Sequence, residues 1–575
     1  MTHARNLSNR STDFVSVKDY GAVGDGTTDD TAAIQAAVTA ASQVFIPPGT
    51  YKISSAIVLP ANVELYGNGD ASVLKLYANT VMLSVLTSSV TIRDLKIDGN
   101  SGAYTNVSNN AVYVNWTGSA QSRVVIKRVT IRNIAGAGVI ALGVSGTPSS
   151  DIRIEGNDIE NTGTHGIIVQ DYVSNVFILG NRVKATGLLV ADRPGITAAR
   201  YGSNVTIANN ICIGSVSALG SSVHGISSDL TTNSTISGNV ISNWVGYGIE
   251  VGGSSNCTIS ANSINTTARA GIAISGNQTD PLLGSNVSII GNNITSAATS
   301  GIYSFISGAT GTMFHTNITV SGNVITSTTS DSGISLGFCN RLSITNNAVY
   351  GAFLSGLYTV DCKSVIVSAN TLVNNNCVAL KNILSITQTA GTATVTTAAA
   401  HGYSNGDIVT IINAVPAEYN GAYAIAGASG STFTYSVSPA ALQSPALAIS
   451  GQIQCTKANS LAHGGVRANY SVLTTQEIVT FGHNMVVGNG YLDFYDVGYN
   501  GVIGFWNNLL FLRSTVQPRV ENLTSNVAAN QEDRAALFMK NGKISVAYNN
   551  AGALTYATLQ LNGAATAWTN STTTP

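Results

Sequence analysis

Charge is scarce in this chain. Asp, Glu, Lys and Arg supply 10% of its 575 residues, and 27 basic side chains against 28 acidic ones leave a formal net charge of -1. A protein that grips nucleic acid by its phosphates needs a basic surplus, so no nucleic-acid partner is expected. Cysteine is sparse as well. Cys212, Cys257, Cys339, Cys362, Cys377 and Cys455 form no CxxC pair, which argues for buried thiols rather than a disulfide framework. No apolar run approaches the roughly 18 residues of a membrane span, and the first ten residues, MTHARNLSNR, hold no apolar stretch of a secretory signal. A soluble chain without membrane insertion is the expectation. Nor do His, Cys, Asp and Glu fall at metal-ligand spacing, so neither a metal nor a cofactor is expected.

What is present is apolar and turn-rich. A 44% hydrophobic share argues against disorder, and 58 glycines exclude a coiled coil and call for many tight turns between short strands. From about 150 to 372 one pattern recurs: apolar, two residues, Asn, one residue, apolar. It reads IRIEGNDI at 152–159, VFILGNRV at 176–183 and STISGNVI at 234–241, and it aligns Asn157, Asn181, Asn210, Asn239, Asn262, Asn292, Asn323, Asn347 and Asn370 at spacings of 23 to 31 residues. A second short segment opens with Gly-Ile or Gly-Leu, from Gly166-Ile167 to Gly356-Leu357. Period-two alternation with β-branched residues makes both segments strands. A repeat of two dozen residues cannot bury its apolar face alone, and stacking gives a continuous core. The fold class is therefore all-β, a parallel β-helix solenoid, with the Asn column as a side-chain ladder at a turn that tolerates the left-handed conformation. Cys257 stands where sibling repeats hold Val205 and Val287, so its side chain points inward.

Residues 15–38, VSVKDYGAVGDGTTDDTAAIQAAV, followed by FIPPGTY at 45–51, resemble the leading segment of the pectate-lyase-like right-handed β-helix superfamily, in the version familiar from bacteriophage tailspikes. With the repeats, the resemblance covers roughly residues 14 to 490. It implies that TTDDTAAIQAAV is a helix plugging the end of the solenoid, capped by Thr28 or Asp29 with acidic residues in its first turn. Asp25, Asp29 and Asp30 are accordingly read as structural. The resemblance also implies a homotrimer and a virion-tail location, acting at the outer surface of a host bacterium and joined to another phage tail or baseplate protein through the N-terminus. The expected organisation is an N-terminal segment 1–13, β-helix 14–382, an inserted small all-β module 383–454, last coils 455–490 with Asn484 in the column, and a C-terminal β domain 491–575 serving trimerisation or glycan binding.

Chemistry in a solenoid sits on loops and one strand face. The step from column Asn to the next Gly is usually 9, but 14 from Asn181 to Gly195 and 15 from Asn210 to Gly225. The return step is usually 14 or 15, but 21 from Gly271 to Asn292 and 22 from Gly301 to Asn323. These longer loops would wall a groove over the Gly-Ile strands. With the Ile inward, one outward column includes Ser227, Glu250, Ala273 and Tyr303, and the next includes Asp229, Gly252, Ser275 and Phe305. Asp229 and Glu250 stand one rung and two positions apart, on the order of 8 Å between Cα atoms. Glycoside hydrolysis needs one carboxylic acid for the leaving oxygen and a second carboxylate for water or the sugar, and a separation of about 6.5–9.5 Å suits inversion. The candidates are thus Asp229 and Glu250 as the catalytic pair, with His224 tuning them or binding substrate. Arg200 holds a sugar carboxylate or makes a plain salt bridge. Tyr201, Tyr247 and Tyr303 offer ring faces, and Asp171, His165 and Asp280 are further binding or reserve groups.

The catalytic residue sets of polygalacturonases and pectate lyases are absent from the sequence. The expected function is a tailspike depolymerase that binds and hydrolyses a bacterial surface polysaccharide. A lyase using His or Tyr as base, and a receptor-binding spike without catalysis, are the alternatives.

Overall fold

In the computed structural model, placement is described for residues 14–376 and 381–457, apart from 117–120, 147–148, 216–219, 221–222, 278–282, 308–312, 440–441 and 449–452, and beyond 457 for strand segments between 464 and 571. Asp280, Cys377 and the segment 1–13 lie outside the described residues. So does most of 491–575.

Each rung contributes three short parallel strands. In one rung these are Ser149–Glu155, Asp158–Thr162 and Ile167–Gln170, and each pairs in register with its counterpart on the next: Ile152 with Val176, Ile159 with Val183, Ile167 with Ile196. The result is a parallel β-helix with three strand faces and one continuous core, in which Ile, Val and Leu stack from rung to rung. The Gly that opens each third-face strand is a close approach. A Cβ on Gly248 would stand 2.6 Å from both the Gly271 carbonyl and the Ile264 side chain.

The Asn column is a ladder of buried hydrogen bonds. Asn239 donates its backbone N–H and its Nδ2 to Oδ1 of Asn262, at 3.0 and 2.9 Å, and Nδ2 also donates to the Ile207 carbonyl one rung back. The same pattern runs from Asn157 to Asn370 and on to Asn484. The left-handed backbone expected of these asparagines belongs instead to the residue before each: Gly156, Gly180, Asn209, Gly238, Ala261, Gly291, Gly322, Asn346 and Ala369 all have φ between 53° and 67°. The turn is made by that residue, which frees the following Asn to point inward.

The cap differs in detail from expectation. The helix spans Thr31–Ala40, and Asp30, not Thr28 or Asp29, occupies the N-cap position. Residues Asp25–Asp29 form a strand, so the helix begins only after the acidic residues and none of them falls in its first turn. The carboxylates serve loops: Asp30 accepts from the Val23 and Gly24 amides, Asp25 from Thr27 and Thr28, and Asp29 from Thr31 and the Ser54 hydroxyl. The described cysteines, Cys212, Cys257, Cys339, Cys362 and Cys455, are buried free thiols.

The chain leaves the solenoid after Asn376, and the rungs resume with Gly464–Asn469, where Leu357 pairs with Val466. The intervening module has its own core around Tyr419, Phe433 and Tyr435. Its closing strand, Gln454–Lys457, pairs antiparallel with Lys381–Asn382 and with 409–412, so 455–457 belong to the module's sheet and not to the last coils. Near the C-terminus, Ala535–Lys540, Lys543–Asn550, Ala553–Gln560 and Trp568–Ser571 form an antiparallel four-stranded sheet.

Candidate functional site

The third face carries the candidates. From Val112 to Val360 its strands are four residues long except Ile272–Asn277 and Ile302–Ser307, which run to six, so along that part the face widens at the two rungs whose return loops are longest. Outward side chains on this face are small and little exposed at Thr197, Ser227, Ala273 and Ser335, which leaves the larger Glu250 and Tyr303 standing between them.

Register places Ser227 opposite Glu250 and Asp229 opposite Gly252, and Gly252 in turn opposite Ser275. Asp229 and Glu250 are therefore one rung and two positions apart. Gly252 makes room between them, since a Cβ there would stand 2.5 Å from Asp229 Oδ1 and 3.1 Å from Ser275 Oγ. The Ser275 hydroxyl donates to Glu250 Oε1 at 2.9 Å, and His224 Nε2 lies 3.2 Å from Glu250 Oε2. Burial works to raise the Glu250 carboxyl, but the hydrogen bond and charge of His224, the Ser275 hydroxyl and the Arg269 charge outweigh it, and the net direction is down.

His224 is buried and fixed in one tautomer. Its Nδ1 accepts the Tyr247 amide N–H at 2.9 Å, so Nε2 carries the proton and donates it toward Glu250. Two other histidines use the same device structurally. His315 accepts from the Gly284 amide and donates to the Phe305 carbonyl, and His401 accepts from Tyr403 N–H and donates to the Thr432 carbonyl. In His224 alone of the three, the acceptor is a carboxylate.

Tyr247 stacks on the His224 ring at 5.0 Å, and the Arg269 guanidinium lies 5.4 Å from the Tyr247 ring centre, with Nη1 3.5 Å from the hydroxyl. Tyr303 stacks on Phe305 at 5.4 Å, and both pack with Tyr247, Ala270 and Ala273 in an apolar shelf on the outer side of the face. Arg269 was not singled out by the sequence. Its signal is weak, two residues before Gly271 at a turn.

Of the remaining candidates, Arg200 adjoins Asp229 on the neighbouring rung, its backbone N–H donating to the Asp229 carbonyl at 2.9 Å. Asp171, Arg200 and Tyr201 occupy the left-handed turn that follows the third-face strands. Arg200 pairs with Asp171 at 3.7 Å, and Tyr201 stacks on Tyr172 at 4.8 Å, half exposed. His165 precedes Gly166 two rungs before His224; burial, aided by the nearby Arg193 charge, pushes its ring down to about 3. Among the described residues no group of three His, Cys, Asp or Glu side chains is arranged to hold a metal ion.

Several known proteins share parts of this chain. Mannuronan C5-epimerase AlgE2 of Azotobacter vinelandii is 29% identical over 224 residues, 34% of this chain and 21% of its own length. The pre-neck appendage protein of Bacillus phage B103 is 38% identical over 90 residues, 16% of this chain and 10% of its own. The chain thus spans about a fifth of the length of the first and a tenth of the second. Among solved structures, the A-module of Azotobacter vinelandii mannuronan C-5 epimerase AlgE4 aligns over 59% of this chain and 96% of its own, at 24% identity and a TM-score of 0.48. Residues 14–273, from the cap through the rung of Ala273, match the family described as rhamnogalacturonase A/epimerase, pectate lyase-like.

Proposed function

We propose that this chain binds a bacterial surface polysaccharide along the third face of its β-helix and cleaves it by carboxylate acid–base hydrolysis, as the depolymerase of a phage tailspike. The observation that carries the proposal is the arrangement around Glu250: a carboxylate held ionised by the Nε2–H of His224 and the Ser275 hydroxyl, one rung from Asp229 across the space that Gly252 leaves open. In this reading Glu250 activates water, Asp229 protonates the leaving glycosidic oxygen, and His224 is a positioning residue.

The polysaccharide character draws support from the named relative, a mannuronan epimerase, and from the family match over 14–273. A virion-tail location draws support from the short match to a phage appendage protein. Homotrimerisation and attachment through the N-terminus to another tail protein complete the proposal. Elimination by a lyase needs a base with an open lone pair next to the sugar. His224 Nδ1 already accepts an amide, and burial raises the Tyr247 hydroxyl despite Arg269, so neither group is prepared for that work.

Incubation of the purified chain with a panel of bacterial capsules and lipopolysaccharides tests this. New reducing ends without the near-ultraviolet absorbance of an unsaturated product are expected. Glu250→Gln and Asp229→Asn should each lower that rate at least 100-fold with the circular dichroism spectrum unchanged. Absorbance rising with reducing ends would replace hydrolysis by elimination, and binding without either signal would leave a receptor-binding spike.

A further inference from the structure

The shelf beside Glu250 carries information about the sugar that it would meet. Over the rungs of Tyr247, Ala273 and Tyr303 the surface presented is aromatic: Tyr303 and Phe305 are partly exposed and pack on the buried Tyr247, Ala270 and Ala273. Charge on the same stretch is mostly negative. Asp229 and Glu250 stand at one end, and Asp331, held by the Ser300 hydroxyl at 2.8 Å, lies near enough to Tyr303 for its charge to act on that phenol. The cation there among the described residues is Arg269, whose guanidinium lies over the Tyr247 ring and whose charge already acts on Glu250. Next to Asp229 on the neighbouring rung, the Arg200 guanidinium is paired with the Asp171 carboxylate at 3.7 Å.

A polyuronate presents one carboxylate per sugar. Laid along this shelf it would bring a row of negative charges past the carboxylates of Glu250 and Asp331, against the guanidinium of Arg269, which the Tyr247 ring and Glu250 already engage. Aromatic faces, by contrast, recognise the C–H faces of sugar rings without regard to charge. We infer that the substrate of this site is a polysaccharide whose sugars carry no carboxylate on the stretch between Glu250 and Phe305, so that the chain departs in substrate from the mannuronan epimerase it partly matches. The inference rests on the proposed polysaccharide-cleaving role of the same face.

The test is binding of the full chain, carrying Glu250→Gln to prevent turnover, to neutral and acidic bacterial capsular polysaccharides, alginate and polygalacturonate, with each acidic polymer supplied both native and carboxyl-reduced. Binding to carboxylate-free polymers, and a gain of at least tenfold for an acidic polymer once its carboxyls are reduced, is expected. Tyr303→Ala should weaken binding at least tenfold, and Arg269→Gln less than threefold. Native alginate or polygalacturonate as the tightest ligand, with affinity lost on reduction or on Arg269→Gln, would overturn the substrate class and leave the polysaccharide-binding role standing. No binding to any polymer by a chain with an intact β-sheet spectrum would overturn that role and this inference with it.

Discussion

At the residue scale the molecule places buried histidines with one nitrogen fixed by a backbone amide, and what the other nitrogen meets decides their use. For His224 it is Glu250. Removing the ring in His224→Ala deletes the donor and leaves burial as the largest influence on that carboxyl, so its pKa moves up. Since Glu250 must be ionised to activate water, the acid limb of the kcat/KM profile should shift to higher pH. A variant that only loosened the fold would lower the rate without moving the limb. For His315 the acceptor is the Phe305 carbonyl, and burial, despite that bond, pushes the ring down to about 4. Unfolded histidine titrates near 6.5. Between about pH 6.5 and 4 the unfolded chain therefore binds a proton that the folded chain refuses, and stability falls as pH falls through that window. His315→Asn should remove the His315 share of this slope, on the order of 3 kcal/mol, and leave the share of His165, whose ring burial pushes down to about 3. Denaturant midpoints measured at pH 7, 5.5 and 4 check it.

At the scale of the rung, two asparagine ladders run side by side and differ in what their loss would cost. Asn239→Ala strips the partner from the Asn210 amide and Nδ2 and from the Ile207 carbonyl, all in the interior, and should cost on the order of 3 kcal/mol or more. Asn233 belongs to an exposed ladder, bonded to Asn204 and Asn256, with φ at 54°, a conformation that glycine adopts freely. Asn233→Gly should therefore stay within about 1 kcal/mol. Chemical unfolding of the two variants side by side measures the difference.

The inner ladder was legible in the sequence because burial forces its asparagines into one register with Ile on either side. The outer one, at Asn175, Asn204, Asn233, Asn256, Asn286 and Asn317, was not, since exposed turns accept many polar residues and the repeat is blurred by its neighbours. The same contrast holds at the site. Period-two alternation was enough to put Asp229, Glu250 and Ser275 on one face, because register in a parallel stack is fixed by the inward column. The tautomer of His224 and the position of Arg269 depend on turns, where φ and ψ are set residue by residue and no period reports them.

For the whole molecule, the rungs close up across the module as if it were not there. Leu357 to Val360 pair directly with Val466 to Asn469, and the Asn370 amide donates to Asn484 Oδ1 at 2.9 Å, so the solenoid's hydrogen bonding bridges more than a hundred residues of sequence. Within the module, Lys381 and Asn382 pair antiparallel with Cys455 and Gln454, which holds its two ends side by side, about 5 Å apart as in any antiparallel pair. Its core is formed by its own residues. Loop closure over a short replacement costs little, because the entropy grows only with the logarithm of loop length. Replacing 381–457 by a short Gly-Ser linker should therefore leave a folded β-helix, with its thermal midpoint close to that of the parent and its rate on polysaccharide within about threefold, since Asp229 and Glu250 stand on rungs that the module's strands do not pair with. A soluble, folded deletion variant that had lost polysaccharide binding would instead make the module part of the recognition surface.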